Sequence, residues 1–79
     1  MVKELKKNVR DILNEIKWRK KLEKAKIWYL HRGAPNDTKI ISGNEIIVIG
    51  KSFFETGSSS IPYHRVFKIK YDEKIIFER

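Results

Sequence analysis

The chain contains two histidines, His31 and His64, and an arginine follows each one directly. Imidazole titrates near neutrality and can take or give a proton. A guanidinium presents a planar fork of N–H donors that matches phosphate oxygens. Two such pairs at one place can grip a phosphate through charge-assisted hydrogen bonds. The same groups can do general acid–base chemistry on a phosphodiester. The simpler alternative is bracing: one histidine bonds a backbone carbonyl and its arginine pairs with Asp37 or Glu55. The surrounding residues favour a site. The first pair lies in Leu30-His31-Arg32-Gly33-Ala34-Pro35-Asn36-Asp37 and the second in Ile61-Pro62-Tyr63-His64-Arg65-Val66. In both, an apolar run meets a turn, where a rigid scaffold can present side chains to a ligand.

Accessory candidates follow from the same chemistry. Tyr29, Tyr63 and Phe53 can stack on bases, as aromatic side chains do in single-strand binders. Backbone amides near Gly33 and the Ser58–Ser60 loop can add donors. Arg19, Lys20 and Lys21 can contact phosphates. Gly33-Ala34-Pro35 has too few glycines for a phosphate-cradling loop. Cysteine is absent, which excludes disulfides and thiolate metal sites. No metal and no cofactor is expected.

Charge points to a polyanion. The formal net charge is +8, and ten of the eighteen Lys and Arg residues lie in residues 1–26 against four of the ten acids. A basic first third suits nucleic acid, although lysine-rich faces also serve solubility. No apolar run approaches the roughly 20 residues of a membrane helix, and the charged N-terminus lacks the apolar region of a signal peptide. These features imply a cytoplasmic protein with no membrane partner.

The elements that must position the two pairs are legible from apolar spacing. Seventy-nine residues make one small domain, residues 1–79, with 1–7 as a candidate basic arm. Leu5, Val9, Ile12, Leu13 and Ile16 form one helical stripe. Leu5 argues for a helix start near Lys3, with an Asn8 cap as the alternative. Trp18 reads as a core anchor at the end of the stripe. After Lys26 the apolar period changes to about 2. Lys26–His31 reads as a strand with Ile27, Tyr29 and His31 on one face. Thr38–Ile41 and Glu45–Ile49 read as strands, the latter buried on both faces. Gly50 marks a bulge or bend, Ser52–Thr56 continues as strand, and Gly57–Ser60 is the clearest flexible loop. Val66–Tyr71 alternates with Phe67, Ile69 and Tyr71 inward. Asp72-Glu73 turns the chain into Lys74–Glu78, with Ile75 and Phe77 inward. Extending this alternation backwards would bury Arg65, which is costly for an unpaired guanidinium. A turn or bulge near Pro62–Arg65, or a paired Arg65, resolves the conflict. The class is α+β: an N-terminal helix packed on a small, mostly antiparallel sheet of about four or five strands.

Leu13-Asn14-Glu15-Ile16-Lys17-Trp18, His31-Arg32-Gly33-Ala34, Ile61-Pro62-Tyr63-His64-Arg65-Val66 and the closing hairpin resemble a small, mainly archaeal family of uncharacterised proteins. That family is also known as the RNA cyclic-group end recognition domain. The resemblance spans roughly residues 8–79 and excludes the lysine-rich arm. Asp72-Glu73 stands where the family often has Asp-Gly. The resemblance implies that His31, Arg32, His64 and Arg65 recognise RNA ends bearing a cyclic phosphate. The family's domain also occurs attached to two-histidine phosphoesterases and nucleotidyltransferase-like modules, which implies an RNA-processing enzyme as a partner in trans. The leading reading is thus an RNA-binding module for a terminal phosphate, 2′,3′-cyclic in the first instance, on a single-stranded end and without catalysis. The alternatives are a small phosphodiesterase or ribonuclease with His31 and His64 as acid and base, and a structural or protein-interaction module. Nothing in the sequence sets an oligomeric state.

Overall fold

The structure is a computed structural model that describes residues 8–79. It opens with one helix, α1 (Val9–Arg19). Asn8 is extended and its side chain accepts a hydrogen bond from the Asp11 amide at 2.8 Å. That bond satisfies one of the helix's orphan donors. The helix α1 therefore begins at Val9 with Asn8 as its cap, and the expected start near Lys3 lies outside the described residues. Leu5 and the candidate arm lie outside the described residues. Val9, Ile12, Leu13 and Ile16 are buried. Trp18 is 78% exposed, so it does not anchor the core. At about 100° per residue it sits about 200° around the helix from Ile16, on the opposite face.

Seven strands follow: β1 (Ala25–Leu30), β2 (Thr38–Ser42), β3 (Ile46–Ile49), β4 (Phe53–Thr56), β5 (Ser60–Pro62), β6 (Val66–Tyr71) and β7 (Lys74–Glu78). They form two sheets, ordered β2-β1-β6-β7 and β3-β4-β5, and every pairing is antiparallel. The α+β class and antiparallel pairing are as read from the sequence, with the strands divided between two sheets. One core joins the helix stripe to both: Ala25, Ile27, Tyr29, Ile41, Val66 and Ile69 from the larger sheet, Phe54 and Ile61 from the smaller.

Two bulges reset the alternation of β6 and β7. Trp28 pairs with Lys68, but Tyr29 pairs with Val66, so Phe67 is skipped. Val66, not Phe67, is then buried beside Ile69. Likewise Ile69 pairs with Phe77 and Lys70 with Ile75. Lys70 faces out, so Ile75 faces out with it and is 50% exposed, against the inward position that strict alternation gives. β3 also departs from its reading. It is an edge strand bulged at Ile47, and Ile47 and Val48 are exposed instead of buried on both faces.

The turns carry side-chain logic. The chain reverses after Gly50, whose amide donates to the Phe53 carbonyl at 2.9 Å. Between β4 and β5 the Thr56 hydroxyl accepts from the Ser58 and Ser59 amides, making Gly57–Ser60 a tight hairpin turn. Ser42 and Glu45 form a capping box around a 3-10 turn, Gly43–Glu45. A Cβ at Gly43 would collide with the Leu22 carbonyl oxygen, so only glycine lets that turn approach the helix-to-β1 link.

Candidate functional site

Chain topology brings the two His-Arg pairs together. His31-Arg32 directly follows β1, and His64-Arg65 directly precedes β6 within a 3-10 turn, Tyr63–Arg65. β1 and β6 are paired and antiparallel, with Tyr29 opposite Val66 at that end. The end of one strand and the start of the other therefore lie side by side. The turn also resolves the Arg65 conflict: Val66 is inward and Arg65 is exposed.

The result is one open groove of about 630 Å³ lined by Leu30, His31, Arg32, Asp37, His64 and Arg65. His64, Arg32 and Arg65 are exposed and His31 is half-buried. Among the described residues, the side chains of Arg32, His64 and Arg65 are held by no hydrogen bond or ion pair. The bracing alternative, with Asp37 or Glu55 as partners, is thus not what the arginines do. The His31 ring meets the Tyr29 ring edge-on, 6.1 Å between centroids at 89°, which orients the imidazole by packing.

Both supporting loops are tied down. The His31 amide donates to the Asp37 carbonyl at 2.8 Å, and the Asp37 amide donates to the Ala34 carbonyl at 2.7 Å. Gly33 has φ +96°, a conformation that favours glycine, and its amide points at the Asp37 carboxylate at 3.4 Å. Asn36 and Asp37 are also left-handed, which Asn and Asp tolerate better than most residues. On the other side, Arg79 holds the turn that carries His64. Its Nε donates to the Val66 carbonyl at 2.8 Å and its guanidinium to the Tyr63 carbonyl at 3.2 Å. Sequence reasoning missed Arg79, since no spacing rule links it to a turn sixteen residues away. Asp37 was legible only as a pairing partner, and it is instead the one carboxylate among the described residues that line the groove.

A second, smaller cavity of about 290 Å³ shares Leu30, His31 and Arg65 with the groove and adds Tyr29, Ser59, Ser60, Ile61 and Pro62. Burial, with a smaller push from Glu45, raises the Tyr29 phenol above its ordinary pKa, so it stays a neutral hydroxyl. Other accessory candidates are placed elsewhere. Tyr63 stacks on Phe54 at 5.9 Å and donates its hydroxyl to the Gly50 carbonyl at 2.7 Å. Burial raises its pKa and Arg10 partly offsets this. Its ring packs against the core residue Phe54. Phe53 lies on β4 and lines neither cavity. Arg19, Lys20 and Lys21 lie at the opposite end of β1, where Lys20 sits over Tyr71 at 5.0 Å and the Lys21 amide donates to the Tyr71 hydroxyl. Six strand residues at about 3.4 Å each separate that cluster from the groove by roughly 20 Å. No described helix is long and apolar enough to cross a membrane.

The family described as the MJ1316 RNA cyclic group end recognition domain matches residues 6–79. A UPF0248 protein of Methanococcus vannielii is 41% identical over 64 residues, covering 78% of this chain and 77% of that one. The UPF0248 protein TK0315 of Thermococcus kodakarensis is 37% identical over 74 residues, covering 90% of each. No solved structure gives a significant match. With nearly its whole length matched, the chain belongs to the family of the RNA cyclic group end recognition domain.

Proposed function

We propose that this protein is an RNA-binding module that grips a terminal phosphate, in the first instance a 2′,3′-cyclic one, without cutting it. The observation that carries the reading is that both His-Arg pairs line one groove with their arginines unengaged. A terminal phosphate is small, so two guanidinium forks and two imidazoles reach it together only from a shared pocket. Each arginine then offers charge-assisted bonds, roughly twice as strong as neutral ones. The adjoining cavity, with the Ser59 and Ser60 residues and the Tyr29 ring along its wall, suits the ribose and base of the terminal nucleotide. The family's own description, an RNA cyclic group end recognition domain, supports RNA as the polyanion.

Binding titrations with one short RNA bearing a 2′,3′-cyclic phosphate or a hydroxyl end test this. The cyclic end should bind more tightly. Arg32→Lys and Arg65→Lys keep charge but lose the fork, so each should weaken the cyclic end by about ten- to a hundred-fold, from a loss of about 1.5–3 kcal/mol. The hydroxyl end should lose less. Equal losses on both RNAs, with the variants folded, would mean the pairs do not read the end group.

A second reading draws on the same convergence: His31 and His64 as acid and base of a phosphodiesterase. Incubation with the cyclic-phosphate RNA separates the two. An intact ring supports recognition alone, and opening to a monoester that is lost in His31→Ala supports catalysis.

A further inference from the structure

We propose that the open face of the larger sheet is a track for the nucleotides that precede the RNA end, with Trp28 as a base-stacking platform. This rests on the end-binding reading for its direction, because the groove fixes where the terminal phosphate sits. Directly paired residues of an antiparallel ladder share a face. Trp28 lies between Ile40 and Lys68, and Lys26 is paired with Lys70. All stand on the face opposite the core, whose side of β1 is Ala25, Ile27 and Tyr29. In the free protein the Lys68 ammonium sits 4.9 Å from the Trp28 ring centroid and that of Lys70 5.7 Å. The indole is half-buried, and among the described residues two lysine ammonium groups lie against its ring. Lysine heads on long stems can swing from the ring to a phosphate, and a base can take their place on the indole.

Along β1 the face leads to the groove. Leu30 is the next outward residue of β1 after Trp28; it is 51% exposed and lines the groove. From Trp28 to His31 is three residues of extended chain, about 10 Å. That is a short step for a nucleotide chain leaving a pocket. At the other end Trp28, Lys26 and Lys70 border a cavity of about 350 Å³ that is also lined by Lys24 and by three carboxylates, Glu23, Asp72 and Glu73. The three carboxylates outnumber Lys24 there and disfavour a phosphate, which sets that end of the track. An aromatic platform flanked by lysines, continuous with an anion groove, matches single-stranded nucleic acid in charge and shape. A protein partner would gain the apolar contacts of Leu30 and Ile40 but would have to bury three ammonium groups, at a cost.

The test uses the Trp18→Phe protein, in which Trp28 is the remaining indole. Three ligands are titrated: the mononucleotide adenosine 2′,3′-cyclic phosphate, a triadenylate with the same end, and that trinucleotide with abasic upstream positions. The triadenylate should bind about ten-fold more tightly than the mononucleotide and should quench the Trp28 emission. The abasic ligand should lose both the gain and the quenching. In a separate variant, Trp28→Leu, the trinucleotide should fall to the affinity of the mononucleotide. Equal affinities for mononucleotide and triadenylate, or a bound triadenylate that leaves the emission unchanged, would overturn the track while leaving end recognition intact. A hydroxyl-ended triadenylate that binds and quenches as well as the cyclic one would instead support the track and sink end recognition. Failure of every RNA to bind, with self-association through this face, would overturn both.

Discussion

Asp37 puts a carboxylate among four basic side chains, and that charge works against an anionic ligand. At about 4 Å in water-like surroundings such a repulsion amounts to about 1 kcal/mol, roughly five-fold in affinity. Asp37→Asn keeps an oxygen for the Gly33 amide and a residue that tolerates φ +52°,. It should therefore tighten binding of a cyclic-phosphate RNA by about that factor, read by titration; unchanged or weaker binding would show that Asp37 does not face the ligand. The four basic residues were legible because two histidines each followed by arginine form a pattern within the sequence itself. The role of Asp37 was not, because its position depends on a left-handed loop that folds it back onto Gly33. Trp18 misled for a related reason: an indole after an apolar stripe invites burial, yet its helical angle carries it to solvent.

At the scale of the element, the turns decide what each residue can do. Asp72 and Glu73 both have positive φ, 51° and 71°, as a type I′ hairpin turn requires. Glutamate pays for the left-handed conformation about 1–2 kcal/mol, against the smaller entropic cost of a glycine. Glu73→Gly should stabilise the protein by about 0.5 kcal/mol, a rise in Tm of about 2–4 °C; a lower Tm in calorimetry would contradict the turn assignment. At the helix start, Asn8→Ala removes the cap to the Asp11 amide and should cost about 1 kcal/mol, or about 4–8 °C in Tm. Arg79 is a positioning residue for His64. Arg79→Lys keeps the charge and loses the fork that reaches the Val66 and Tyr63 carbonyls. It should weaken end binding with little loss of Tm, whereas a purely structural role would lower Tm and leave affinity alone. Helix, strands and the closing hairpin could be read from period and turn residues. The bulges at Ile47, Phe67 and Ile76 could not, because a bulge is set by partner strands distant in sequence. Each one reverses the inside-out pattern that alternation alone dictates.

Across the whole molecule, the basic cluster after the helix and the His-Arg groove occupy different places. The Arg19, Lys20, Lys21 and Lys24 cluster lies roughly 20 Å from the groove along β1, well beyond the Debye length of about 8 Å at physiological salt. At that distance it would add counterion release to RNA binding without touching a phosphate held in the groove. Changing all four to glutamine should flatten the salt dependence and weaken every RNA alike, leaving the ratio between cyclic and hydroxyl ends unchanged. A changed ratio would mean that the cluster belongs to the end site. The division of the strands into two sheets is what makes the groove, since the chain crosses from β5 to β6 at the turn bearing His64. Reading one sheet from the sequence leaves that crossing invisible. The central claim is that both pairs meet one phosphate, and the two histidines make it directly measurable. NMR of the imidazole resonances during titration with adenosine 2′,3′-cyclic phosphate should move His31 and His64 together, along curves with one shared Kd. Movement of only one imidazole, or two curves with different Kd values, would contradict a single shared site.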